Sequence, residues 1–175
     1  CQIHPSAVVA DKAQLIGSYP IEIGENAVIH PWARICATKG RVVIGRSCIV
    51  YEMTVIGHSD MDAPVQDQDV VLGEGVTVES RAVVQAKSIG NRTTIEVGAV
   101  IGHGAVVGQW CKISPLERIR RGEMVEDYKV VYGNGQWRIN DSVKNNEGVR
   151  QAKHEAQSKS VKLMKKMVSN GAAKW

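Results

Sequence analysis

The chain has 175 residues, 43% of them hydrophobic, and a formal net charge of +4, which bounds it to one globular domain with room for an appendage. It contains no Phe but 17 Gly, and Val and Ile dominate its apolar set, so a broad aromatic core is excluded in favour of narrow interiors filled by small branched side chains. No apolar run of about 18 residues exists, which excludes a membrane-spanning helix, and the first residues have neither the basic nor the apolar segment of a secretory signal.

The charge is unevenly placed. From Lys144 onward there are eight basic and two acidic residues, whereas the body up to Val143 has 14 basic and 16 acidic, so the tail carries essentially all of the excess. Cys1, Cys36, Cys48 and Cys111 match no zinc or redox spacing, and free thiols in a reducing cytosol are the expectation. Cys1 in place of an initiator Met leads us to expect residues upstream.

In chain order, an aliphatic residue recurs at every sixth position, often followed by Gly or Glu, with a small residue four places on. The anchors are Ile3, Val9, Leu15, then Ile23, Ile29, Ile35, then Ile44, Val50, Ile56, then Leu72, Val78, Val84, then Ile89, Ile95, Ile101, then Val107, Ile113, Ile119. Within each group of three the step is six; between groups it is 8, 9, 16, 5 and 6. Departures therefore fall at every third junction. Three faces of six residues make one triangular coil, and insertions at a single recurrent corner leave the stacking intact. The pattern predicts an all-β fold, a single-stranded parallel β-helix of about six coils spaced by the roughly 4.8 Å of neighbouring strands.

Each buried anchor contributes about 1.5–3 kcal/mol against about 1–2 kcal/mol of ordering per residue, so one coil is unstable alone and stacked coils support one another. Glycine after an anchor is expected to relax the backbone at a tight corner. Positions three, four and six of each hexad face outward, which assigns His103, Trp32 and Trp110 to the surface. Cys48 and Cys111, at fifth positions, read as small core fillers.

The step of 16 encloses a corner loop over 57–71 with Asp60, Asp62, Asp67 and Asp69. It lacks the glycine and terminal Glu of an EF-hand, so a solvated loop is expected. After Ile119 the repeat dissolves, and Gly133, Asn134 and Gly135 mark a turn. The β-helix is thus assigned to 1–138, and 139–175 to a turn and a basic amphipathic C-terminal helix. Val161, Met164 and Val168, with Leu163 and Met167, recur at three- and four-residue spacing on that helix. Because the body lacks basic surface, a stripe packed on the β-helix or a partner is favoured over a nucleic-acid patch or membrane insertion.

Hexapeptide-repeat enzymes include acyltransferases and trimeric zinc enzymes of the γ-carbonic-anhydrase type, and "IGHGAV" invites that comparison. Zinc chemistry needs three protein ligands and an open position. The zinc motif places a second His five residues after the first, where this chain has Gly108. A second register puts the pair on Ser80 and Gln85, with the remaining histidine beside His58. No metal site is therefore expected. His30, His58 and His103 suit proton transfer by type, yet each reads as a plain surface residue. No G-x-S-x-G or Walker glycine pattern occurs, so no catalytic residue and no cofactor is assigned; a trimeric hexapeptide enzyme, γ-carbonic-anhydrase-like or acyl-transferring, is the alternative.

Hexapeptide-repeat proteins coil left-handed, and that resemblance implies the hand here. More narrowly, "IGENAVIHPWARICATKGRVVIGRSCIVYEMTVI", the acidic corner loop, "SIGNRTTIEVGAVIGHGAVVGQWCKI" and "VEDYKVVYGNGQWR" resemble the β-helical subunits of the dynactin pointed-end complex, over about residues 2 to 138. The resemblance implies a non-catalytic assembly role, cytoplasmic and cytoskeleton-associated. It also implies pairing with a second β-helix such as dynactin subunit 5 and contact with dynactin subunit 4 and the pointed-end actin-related protein. Through these it implies an indirect link to dynein and cargo adaptors. Open β-helix ends need covering, and Trp32, Trp110, Leu163, Met164 and Met167 are the candidate partner-interface residues, surface aromatics and Met being enriched at interfaces.

Overall fold

The structure is a computed structural model that describes residues 1–59 and 68–175. Asp60, Asp62 and Asp67 of the corner loop lie outside the described residues. Short parallel strands wind into a three-faced solenoid. The first face stacks Gln2–Ile3, Ile21–Ile23, Val42–Ile44, Val70–Leu72, Ser88–Ile89, Val106–Val107 and Met124–Val125. The second stacks Val8–Val9, Val28–Ile29, Ile49–Val50, Thr77–Val78, Thr94–Ile95, Lys112–Ile113 and Lys129–Tyr132, and closes with the antiparallel strand Gln136–Ile139. The third runs from Gln14–Gly17 through Arg34–Ala37, Val55–His58, Val83–Val84 and Val100–Ile101 to Arg118–Ile119.

The hexad anchors form three columns up the interior. On the third face Leu15, Ile35, Ile56, Val84, Ile101 and Ile119 are successive register partners, and the same holds for the other two faces. Every anchor except Ile3 is buried. The columns continue beyond Ile119 to Val125 and Val131, which pair with Val107 and Ile113. The step of six therefore continues two faces beyond Ile119, where the charged residues around Val125 and Val131 obscure it. Inserted residues collect where the third face turns into the first. Strand Val55–His58 ends, and strand Val70–Leu72 begins, inside the span 57–71.

Glycine after a first-face anchor serves a purpose other than backbone freedom. A Cβ on Gly45 would lie 2.4 Å from the Gly73 carbonyl oxygen, and one on Gly90 would lie 2.4 Å from the Gln109 nitrogen. The next coil crosses too closely for any side chain. Positive φ falls instead on fourth positions, among them Trp32, Met53, Trp110 and Leu116, at 55 to 65°. Among the described residues, none of the non-glycine residues in that conformation is β-branched, the type for which it is most costly. There the backbone N–H donates to the neighbouring coil, as Trp110 does to the Asn91 carbonyl at 2.8 Å.

Two helices follow, α1 over Asp141–Lys144 and α2 over Glu147–Met167. Asn146 caps α2 by accepting from the Val149 N–H, and Lys165 and Lys166 occupy its last turn, where the helix dipole favours cations. This helix runs back down the second face. Val161 and Val168 join the core, with Met164 packed against it. Gln157 donates to the Ser47 carbonyl at 3.2 Å, and Lys165 donates to Asn26 Oδ1 at 2.8 Å. As a result the outward residues Val28 and Ile49 are as buried as the inward Ile29 and Val50. The tail then reaches the first coil: the Gly171 N–H donates to the Val9 carbonyl at 2.7 Å, Asn170 bridges Ala10 antiparallel, and Lys174 pairs with Asp11 at 2.9 Å.

Because Val161 is the helix residue most deeply set into the core, Val161→Asp places an unpaired charge against apolar side chains. The expected outcome is release of α2, seen as lost amide protection over 147–167 and new binding of a hydrophobic dye, with the upper coils still protected. A second prediction concerns His30. Burial lowers its pKa below 6.5, only partly opposed by the Glu52 charge, and its Nε2 is buried without a partner among the described residues. The folded protein then takes up this proton less readily than the unfolded chain. Stability is full above the ordinary imidazole value and is lost as pH falls through it toward the depressed folded value. Melting temperature should decline in that window, ahead of any carboxylate, and His30→Gln should flatten the decline.

Candidate interaction surfaces and the histidine corner

The two tryptophans occupy equivalent hexad positions but different edges of the prism. Trp32 stands where the second face turns into the third and is 51% exposed, with Lys12 Nζ 4.9 Å from its ring centroid. Trp110 stands where the first face turns into the second and is half-buried, in a groove it shares with Lys153, Ala156 and Gln157 of α2. Of the helix candidates, Leu163 and Met167 are exposed, whereas Met164 faces the body. The predicted apolar stripe thus divides: Val161, Met164 and Val168 dock, and Leu163 with Met167 remains at the surface.

Trp32 has companions that we did not single out from sequence. Met53, Val97 and Leu116 lie on the same edge and are exposed; the Leu116 N–H donates to the Val97 carbonyl at 2.9 Å, one coil away. Met53 and Leu116 are fourth residues of their hexads, so the rule that selects Trp32 selects them too. The edge is a discontinuous apolar ridge, interrupted by Arg81. Across the prism, Lys162, Lys165 and Lys166 border a groove of about 440 Å³ with Asn26, Ser47 and Ser158.

The histidines are not the plain surface residues that hexad position suggests. His58 ends the strand Val55–His58 and is buried, and the Thr38 hydroxyl donates to its carbonyl at 2.8 Å. His103 is half-buried at the same corner, its Nδ1 3.4 Å from His58 Nε2, with ring centroids 5.0 Å apart and the rings edge to face. His30 lies elsewhere, packed on Tyr51 at 4.7 Å between centroids and 3.7 Å from Glu52. Both follow third-face anchors, Ile56 and Ile101, by two residues, so the hexad phase puts them at one corner; the contact of their rings across the intervening coil is seen only in the structure.

The thiols of Cys48 and Cys111 hold their protons. Burial pushes Cys48 up to about 12 and Cys111 up to about 11, and both donate to carbonyls, Gly73 at 3.0 Å and Glu126 at 3.1 Å. They fill fifth positions, as do Thr54 and Thr93, whose hydroxyls are likewise bonded to carbonyls. Among the described residues no group of three His, Cys, Asp or Glu side chains gathers around a point that could hold a metal, and no helix is long and apolar enough to cross a membrane.

No protein-family model matches the chain. Dynactin subunit 6 of Xenopus tropicalis is 28% identical over 137 residues, which cover 75% of this chain and 67% of that protein. Dynactin subunit 6 of Danio rerio is 28% identical over 138 residues, covering 75% and 70%. Among solved structures, a hexapeptide transferase family protein from Anaplasma phagocytophilum superposes with a TM-score of 0.77 over 94% of this chain and 90% of that one, at 18% identity. GDP-perosamine N-acetyl transferase from Caulobacter crescentus gives 0.53 over 78% and 55%, at 20% identity. At such identities the structural likeness speaks to the fold alone. The columns of anchors, the corner insertions and the comparisons converge: the chain folds as a parallel β-solenoid of six-residue repeats and is similar in sequence to the dynactin subunit 6 proteins.

Proposed function

We propose that this chain is a non-catalytic assembly subunit of dynactin, working in its pointed-end complex in the cytoplasm and on the cytoskeleton, where it supports dynein-driven transport and the attachment of cargo or adaptors. The observation that carries the reading is the sequence similarity to dynactin subunit 6 across three quarters of the chain. The exposed apolar ridge is compatible with it, because large apolar and aromatic side chains aligned along one edge suit a protein interface.

In this reading residues 1–138, with the corner over 57–71, form the partner-bearing body, and 139–175 form a clasp that ties the last coil to the first. Dynactin subunit 5 is the proposed paired solenoid, with subunit 4 and the pointed-end actin-related protein as neighbours. Trp32, Leu163 and Met167 are the first choices for contact. Trp110 and Met164 act through the placement of α2.

The full chain, used as bait in cytosol, is expected to retain actin-related and β-solenoid dynactin chains, and native mass measurement should show it paired with a second solenoid. Trp32→Ala combined with Leu116→Asp is expected to weaken that retention at least about tenfold, as truncation of interface anchors does, while leaving the melting temperature within a few degrees. A homotrimer that turns over an acyl-coenzyme substrate and retains no dynactin chain would overturn the proposal.

A further inference from the structure

We propose that the upper edge of the third face, at Arg118–Ile119, is a docking site for an extended acidic segment of a partner protein, one with Asp or Glu at alternate positions and aliphatic residues between them. The inference does not depend on the dynactin reading.

The last coil is closed unevenly. Strand Gln136–Ile139 pairs antiparallel on the second face, whereas Arg118–Ile119 ends the third face with no described strand above it. In the coil below, the amides on either side of the anchor donate upward, Val100 to the Glu117 carbonyl and Gly102 to the Ile119 carbonyl, both at 2.9 Å. The equivalent amides of the last coil belong to Arg118 and Arg120. They meet carboxylates of their own coil, Glu117 Oε1 at 3.2 Å and Glu123 Oε2 at 2.8 Å. Two side chains thus stand in for the carbonyls of a further strand, the kind of device that keeps an edge from pairing indiscriminately. Glu117 is anchored by a second bond, from the Asn134 N–H at 3.0 Å. The Glu123 carboxylate has no second partner among the described residues, so it is the cap that yields first.

Space and charge define the occupant. A groove of about 450 Å³ runs along this edge, lined by Leu116, Arg118, Arg120 and Glu123 and bordered by the hairpin turn at Asn134 and Gly135. Arg118, Arg120 and Arg121 are exposed, and none forms a salt bridge with a described residue. Side chains alternate along a strand, so Arg118 and Arg120 point away from the axis while Ile119 points inward. A strand laid on this edge sets its outward residues beside the two guanidinium groups, where carboxylates are favoured. Its inward residues lie over the end of the Ile119 column, where aliphatic side chains fit. Backbone bonds then supply affinity and the alternation supplies specificity, as in strand addition generally.

The test titrates the full chain into a fluorescent, amidated peptide of alternating glutamate and valine. Anisotropy should saturate, the Arg118 and Arg120 amide resonances should shift, and added salt should weaken binding. Glu123→Ala, which frees the Arg120 N–H, should tighten binding at least about threefold. Arg118→Glu combined with Arg120→Glu should weaken it at least about tenfold, with the melting temperature unchanged because both side chains are exposed. The same peptide N-methylated at its valines keeps its charge but loses the donors that face the edge, and should also bind at least about tenfold more weakly. Equal binding of the N-methylated peptide would reduce the contact to charge attraction and overturn the proposal. So would undiminished binding in the folded double variant, absence of saturation at millimolar peptide, or a dimer of the chain through these amides that the peptide does not dissociate.

Discussion

The in-register stacking of one coil on the next is the constraint from which the rest of this molecule follows. Within a coil the backbone closes corner turns, as when Ala99 donates to the Glu96 carbonyl, but the strand amides are satisfied by the coils above and below, as when Val83 donates to the Ala99 carbonyl and Val100 to that of Glu117. The same vertical relation places Ile101 between Val84 and Ile119. Backbone pairing and side-chain packing thus impose a single repeat distance on every residue. A corner residue that lifted its coil would break both at once, which explains why the glycines after first-face anchors, such as Gly45 and Gly90, leave no space for a Cβ.

The prism is not symmetric, and the asymmetry comes from outside the repeat. On the first and third faces the outward partner of each anchor meets solvent to some degree, for example Glu22 or Arg34. On the second face Val28 and Ile49 are buried because α2 lies on them. The basic excess of the tail is explained by this placement. Val161 and Val168 turn inward, so the lysines of α2 flank the contact or face outward, with Lys165 tethered to Asn26 and the later Lys174 to Asp11. A helix starting beside the last coil and ending at the first holds the ends of a one-dimensional stack in register, where fraying otherwise begins.

The spacing of Val, Ile and Leu revealed the anchors, their phase within the coil and the corner that takes insertions. Val125 and Val131 keep the step of six beyond Ile119 but are obscured by Arg118, Arg120, Arg121 and Glu123, and Glu117 takes a fifth position that in most hexads holds a small residue. That carboxylate stays buried by accepting from the Asn134 N–H at 3.0 Å. Glycine after the anchor was visible as a pattern, but the shortage of space behind it became apparent only when two coils were seen crossing. Trp32 and Trp110 share a hexad position, and whether each is exposed depends on which edge of the prism α2 occupies.

The sequence by itself determined which residues face inward, since a period of six with a fixed corner divides inside from outside within each coil regardless of what lies above. Tertiary structure alone decided what meets what among outward residues. His58 and His103 are 45 residues apart, and their contact depends on how many residues the intervening corners insert and how the coils stack. The burial of Val28 and Ile49 likewise depends on where a helix more than 90 residues away comes to rest. Periodicity encodes direction from the axis, whereas contact between coils and with the tail is a property of the assembled stack.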